Sequence, residues 1–213
     1  PLYELDGASF MSDDAYGHLA TVTGALWRLG GRWFDAIDDL INCGSASVLD
    51  DIFDGGGTIE AWINPASDGE GSVARLINKA AADGFYCRVD SEVAGKVKFL
   101  FTHKFTTTEG NWKTTNPEIS INVWSHILLT YNNDNVANDP VFYLNGVALA
   151  LPEVGTPVGT RRSDAALDLI IGNYSDGSNT WDGYIGEVRT YKGKILTASE
   201  AMNNYLATKW RYR

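Results

Sequence analysis

Cysteine is scarce in this chain: 213 residues hold only Cys43 and Cys87. Two are too few for a disulfide scaffold, and a chain of this length buries a core without staples. The plain reading is two half-buried thiols on strands. One bridge stays open if the chain is extracellular, because spacing does not place the Cα atoms. Long apolar runs are missing as well; nothing approaches the ~18 residues of a membrane-spanning helix, so no membrane insertion is expected. No basic start leads into an apolar signal region. Histidine occurs three times, as His18, His103 and His126, and none has a second His or Cys at metal-ligand spacing. Neither a G-x-S-x-G elbow nor a phosphate-binding glycine loop is present.

Positive charge is short in the first third. Residues 1–70 carry thirteen acids against Arg28 and Arg32, whereas residues 71–213 carry fourteen acids and fifteen bases. With a formal charge of −10 the chain lacks the positive footprint that nucleic acid or an anionic membrane demands. The acidic third suits solubility first and a cation site second.

What is plentiful is aromatic residues and glycine: 12% aromatics, seven tryptophans and 22 glycines. That composition predicts an all-β protein with many tight turns. Short strand-like segments, alternating at Leu2–Leu5 and Ile59–Ile63, follow one another at Leu2–Leu5, Leu19–Trp27, Ile59–Ile63, Ser72–Asn78, Gly84–Val89 and Lys96–Thr102. More follow at Glu118–Ile121, Ser125–Tyr131, Val141–Leu144, Ala148–Leu151, Leu167–Gly172 and Tyr184–Tyr191. Asn145-Gly146 between two of them is a strong hairpin signal. Near the end Thr197-Ala198-Ser199-Glu200 reads as a capping box, with Met202, Tyr205, Leu206 and Lys209 at helical spacing behind it. Neither repeats nor linkers interrupt the series, so residues 1–213 are expected to form one domain.

Four of these segments, in order, carry a family resemblance: Thr58–Pro65 (TIEAWINP), Val123–Tyr131 (VWSHILLTY), Val141–Gly146 (VFYLNG) and Trp181–Tyr191 (WDGYIGEVRTY). Together with Phe34–Ile41 they resemble the laminin G-like, concanavalin A-type jelly-roll family over roughly residues 33–213. Ala36 stands where the family's F-D-G-x-D-D turn usually has Gly. Ser125 stands where its paired histidines begin, and Gly186 where its I-D-E-V-R strand has an Asp. The resemblance implies a two-sheet antiparallel sandwich with a short C-terminal helix. It also implies a calcium ligand at the position of Gly186, which this chain cannot supply. His126 reads as structural, and Glu187 with Arg189 as a structural ion pair.

Relatives of this fold that hydrolyse glycosides carry E-x-D-x-x-E on one strand, where alternate residues share a face and two carboxylates reach one glycosidic bond. Glu187 is followed two residues on by Arg189, Glu60 by Trp62, and Glu4 by Asp6 with no third acid behind it. A polysaccharide hydrolase would need carboxylates from separate strands, and no enzyme is expected. The leading expectation is a recognition module for carbohydrate or a surface glycan, on a cell exterior or virion surface. Its alternative is a structural protein of a virus particle or cell surface, with a neighbouring protein as partner. The basic residues Arg161, Arg162, Lys209, Arg211 and Arg213 offer a surface for salt-sensitive self-association against an acidic neighbour.

Candidate binding residues sit on two loops. In Asn173–Asp182, Tyr174 and Trp181 flank Asp176 and Asn179, a set that suits stacking on a sugar with amide and carboxylate taking hydroxyls. Asp176, Asn179 and Asp182 are hard oxygens that suit calcium. The plainer reading takes the same residues as ordinary turn formers, with Trp181 in the core. In Lys104–Lys113, Trp112 is expected at or near the surface as a stacking platform or protein anchor, with folding back on the sheet as the alternative. The loop Asn132–Asp139 lacks the glycine and closing Glu of an EF loop and reads as solvated.

Overall fold

The computed structural model describes residues 9–11, as a strand, and residues 17–213; the expected opening strand Leu2–Leu5 lies outside them. Two antiparallel sheets make the architecture. The larger runs in the order Ser9–Met11, Leu19–Thr23, Leu40–Asn42, Ile170–Ile171, Val73–Ala80, Gly84–Val93, Lys96–His103, Gly110–Lys113 and Glu153–Gly155. Ile119–Ser120 adds onto Lys96–His103. The smaller sheet runs Val147–Leu149, Val141–Leu144, Ser125–Tyr131, Gly57–Pro65, Asp182–Lys192, Gly31–Asp35 and Leu26–Arg28. Neighbours distant in sequence pair side by side, as a two-sheet jelly roll requires. Among the described residues, no helix is long and apolar enough to cross a membrane.

Alternation builds the core. Inward residues of both sheets form one apolar cluster that includes Phe34, Phe53, Phe85, Phe101, Trp112, Tyr131 and Trp181. Phe53 meets Phe85 edge-on at 4.8 Å and Tyr131 at 5.8 Å, while Phe99 stacks on Phe142 at 4.3 Å. Offset and edge-on geometries of this kind add to what burial alone contributes. Cys87 is buried in the cluster, Cys43 packs against it half-buried, and both are free thiols.

The segment Leu19–Trp27 is two strands, not one. Gly24, in the left-handed region at φ 71, turns the chain from the larger sheet into the smaller. At the neighbouring turn Ala36 adopts φ 63, which is why a glycine is usual there: a Cβ in that region costs about 1 kcal/mol or more.

The strand Ser125–Tyr131 is buried along its whole length because the helix Ala198–Thr208 covers its outer face. Thr197 caps that helix as expected: its hydroxyl accepts the Glu200 amide at 3.3 Å, and the Glu200 carboxylate accepts the Thr197 amide at 2.8 Å. The packing face is shifted from the expected one. Ala201 and Thr208 are buried, whereas Leu206 and Lys209 are exposed. Trp62 fills the space beneath, stacked on Tyr205 at 5.8 Å and Tyr212 at 4.5 Å, its indole N–H donating to Thr208 Oγ1 at 2.9 Å. Gly186 makes room for this arrangement, since a Cβ there would come within 2.6 Å of the Tyr212 ring.

Candidate ligand-binding cleft

Strand alternation points Arg75 and Tyr86 outward from the larger sheet, on neighbouring strands paired in antiparallel register. The loop after Ile170–Ile171 arches over them. Arg75, Tyr86, Lys104, Tyr174, Ser178 and Asn179, with Ala80 and Ala81, line a cleft of about 280 Å³. That is the small end of the range for ligand sites, roughly 300–1,000 Å³.

The loop over the cleft is held from within. Asn173, fully buried, accepts the amides of Tyr174 at 2.7 Å and Asn179 at 3.0 Å through Oδ1. Its Nδ2 donates to the Asp39 carbonyl at 3.1 Å and to Thr180 Oγ1 at 2.7 Å. The Arg75 amide donates to the Asn179 carbonyl at 3.0 Å, so loop and strand are one unit. Tyr174 is therefore presented, half-buried, by a fixed backbone.

The guanidinium of Arg75 lies over the Tyr86 ring, 3.3 Å from its centroid, with the Tyr174 centroid at 5.6 Å. Burial pulls it below its ordinary value, and the neighbouring Tyr86 works against that. Lys104 at the rim pairs with Glu109, whose carboxylate also accepts from Asn111 Nδ2 at 3.2 Å. Burial pushes Glu109 up, and the bonds from Lys104 and Asn111 outweigh it and bring the group below the usual carboxylate range.

Of the residues nominated from sequence, Tyr174 and Asn179 come together here. Asp176 faces solvent and accepts the Ser178 amide at 3.0 Å, within its own turn. Trp181 is fully buried in the core, on the plainer of its two readings, and is not a stacking platform. Asp182 begins a strand of the other sheet and accepts the Ser67 hydroxyl at 2.6 Å. Trp112 corrects the expectation of a surface position. Gly110–Lys113 is a strand, alternation turns the indole into the core, and its N–H donates to Asp139 Oδ1 at 2.7 Å. A polar tract between charged residues had disguised that strand. Arg75, Tyr86 and Lys104 were not nominated. Alternation in their strands marks Arg75 and Tyr86 as outward, but only register and the arching loop gather them.

Carboxylates able to hold a hard cation lie together at another place. Asp35, Asp38 and Asp39 bring an oxygen each within 4.8 Å of one another. Burial, with the charges of Asp35 and Asp38 behind it, pushes Asp39 up to about 6.

A second cluster lies between the smaller sheet and the C-terminal helix. Glu60, buried, accepts from Arg189 Nη1, the Tyr191 hydroxyl and Asn204 Nδ2, each at 2.9 Å, with His126 Nε2 at 3.4 Å. Arg189 also meets Glu187 at 2.6 Å, the ion pair anticipated from sequence. Glu60, Trp62, His126 and Glu187 enclose no space for even a water molecule. Glu60 so placed ties the helix down through Asn204.

A family model described as the concanavalin A-like lectin/glucanases superfamily, Laminin_G_3, matches residues 35–201. Among curated proteins no sequence matches. Among solved structures, the botulinum neurotoxin serotype D binding domain superposes with a TM-score of 0.65 at 12% identity, covering 94% of this chain and 51% of that one. The Trypanosoma rangeli sialidase follows with a TM-score of 0.62 at 16% identity, covering 96% of this chain and 33% of that one. The CBM40 of the Ruminococcus gnavus IT-sialidase, bound to α2,3-sialyllactose, gives 0.52 at 14% identity over 70% of this chain and 82% of that one. This chain thus spans about half the toxin domain. At such identities the likeness is one of fold.

Proposed function

Because the chain belongs to the Laminin_G_3 family of the concanavalin A-like lectin/glucanase superfamily, we propose that it is a non-catalytic recognition module that takes a glycan in the cleft between Arg75, Tyr86 and Tyr174. One observation carries this reading: a half-buried tyrosine at the cleft wall, its loop fixed by buried Asn173, with amide and hydroxyl groups of Asn179 and Ser178 beside it. An aromatic face meets the C–H side of a sugar while neighbouring polar groups take its hydroxyls. A loop ordered before binding spares the entropy of ordering it on contact.

The similar structures support the reading by fold, since one of them is a carbohydrate-binding module in complex with a sugar. The buried state of Glu60 supports the non-catalytic part, because the best-supplied carboxylate among the described residues is closed to solvent.

A glycan array followed by titration of the best ligand tests the proposal. Tyr174→Ala is expected to weaken binding by about tenfold, within the 1–3 kcal/mol that such stacked contacts carry, at unchanged melting temperature. A chelator arm reads any calcium requirement, and loss of binding there should be reproduced by Asp38→Asn. No retained glycan, or a silent Tyr174→Ala, would end the reading.

A further inference from the structure

We infer that the ligand of this cleft carries an anionic group, a carboxylate or sulfate on a sugar, and that Arg75 is the residue that receives it. The inference rests on the glycan reading above and specifies its chemical class.

Arginines in this protein are paired almost wherever they leave open water. Arg88 meets Asp90 at 3.3 Å, Arg162 meets Asp83 at 2.8 Å, and Arg189 meets Glu60 at 2.9 Å. Arg161 reaches Asp51 at 3.8 Å and also Asp54. Among the described residues Arg75 has no carboxylate within 4.0 Å, although the chain carries a net charge of −10 and acids are plentiful. Its Nε and Nη1 are buried and have no acceptor. What surrounds the guanidinium is ring: Tyr86 at 3.3 Å and Tyr174 at 5.6 Å. Aromatic faces hold a cation in place without neutralising it. Lys104, the other cation at the cleft, is already matched by Glu109. Arg75 is left without a contact ion pair among the described residues, with Glu109 acting on it only from beyond 4.0 Å, and it lies at the cleft wall.

A half-buried charge without a counter-ion is costly to keep, and an anion entering the cleft offsets that cost through charge-assisted hydrogen bonds about twice as strong as neutral ones. Partial burial also leaves the pair less screened than one on the open surface. The planar guanidinium suits a carboxylate or sulfate better than an ammonium would. Nucleic acid is disfavoured as the source of the anion, since phosphate backbones require many such cations together and among the described residues the cleft has a single cation without a contact ion pair.

Calorimetric titration of matched pairs tests this on the whole chain: sialyllactose against lactose, polygalacturonate against its methyl ester, dextran sulfate against dextran, and sodium sulfate alone. At least one acidic member is expected to bind about tenfold or more tightly than its neutral counterpart, with the gap closing as NaCl rises. Which pair separates tells carboxylate from sulfate. Arg75→Gln should erase the gap at an undiminished melting temperature, since no ion pair is broken, and Arg75→Lys should keep part of it. Equal affinities within every pair, with Arg75→Gln silent, overturn the anion assignment and leave the glycan reading standing. Sulfate binding as tightly as dextran sulfate overturns the saccharide part. Loss of fold in Arg75→Gln would make the residue structural and sink the inference. Absence of binding to every sugar removes both readings together.

Discussion

Glu60 offers the sharpest test of what the structure holds together. Its carboxylate is 3% exposed and accepts from three groups at 2.9 Å, one of them on the C-terminal helix. Burial pushes the group up, but hydrogen bonds from His126, Asn204 and Tyr191 outweigh that and bring it from 4.5 down to about 2. A depressed carboxylate stabilises the folded state above its unfolded value and loses that contribution as pH falls through the folded one. About 2.5 pH units correspond to about 3 kcal/mol, present above pH ~4.5 and gone near pH 2. Glu60→Gln keeps the shape and removes the charge, leaving Arg189 short of one partner beneath the helix. The expected outcome in urea or thermal unfolding is a variant about 3 kcal/mol less stable at pH 7, with the deficit shrinking steadily below pH 4.5. Glycan binding at the distant cleft should be unaffected at temperatures where the variant is folded. A deficit that stays constant from pH 7 to pH 2, or one under about 0.5 kcal/mol at pH 7, would refute the account of how this helix is held.

Three further substitutions follow from single observations. Asp39 is raised to about 6 by burial and its acidic neighbours, so the folded state favours the protonated form and stability falls as pH climbs from ~4 to ~6. Asp39→Asn is expected to gain about 1–2 kcal/mol at pH 7 and nothing below pH ~4, read by melting temperature against pH. Ala36→Gly relieves a left-handed residue at φ 63 and should gain up to about 1 kcal/mol, less the extra freedom glycine has when unfolded; a measured loss would contradict the strain. Gly186→Ala drives a Cβ to within 2.6 Å of the Tyr212 ring, and chemical denaturation should register a loss of about 1–3 kcal/mol. An unchanged midpoint would mean that the C-terminal aromatic contact contributes nothing.

Much of the fold was legible because its signals are local. Period-two alternation around Ile59–Ile63, the short apolar strand Ser125–Tyr131, the Asn145-Gly146 hairpin and the Thr197–Glu200 capping box each work within a few residues, and each formed where it was read. The departures share one cause. Leu19–Trp27 broke at Gly24 because two sheets compete for its halves. Polar Asn111 and Lys113 hid the Gly110–Lys113 strand, whose reward is Trp112 filling the core. The helix packed on Ala201 and Thr208 because Trp62 and Glu60 wait beneath them, neither of which is near in sequence.

The candidate cleft divides the same way. Sequence alone nominated Tyr174 and Asn179, since a loop rich in amides and one aromatic is a local pattern. It also offered Trp181 and Trp112, because composition cannot say which side of a strand an indole occupies. Arg75 was not nominated from sequence, and its lack of a contact carboxylate partner among the described residues is a fact about what other strands and loops bring near it. Side-chain order along a strand is written in the chain. Which charges end up alone is decided only when distant segments are folded against each other.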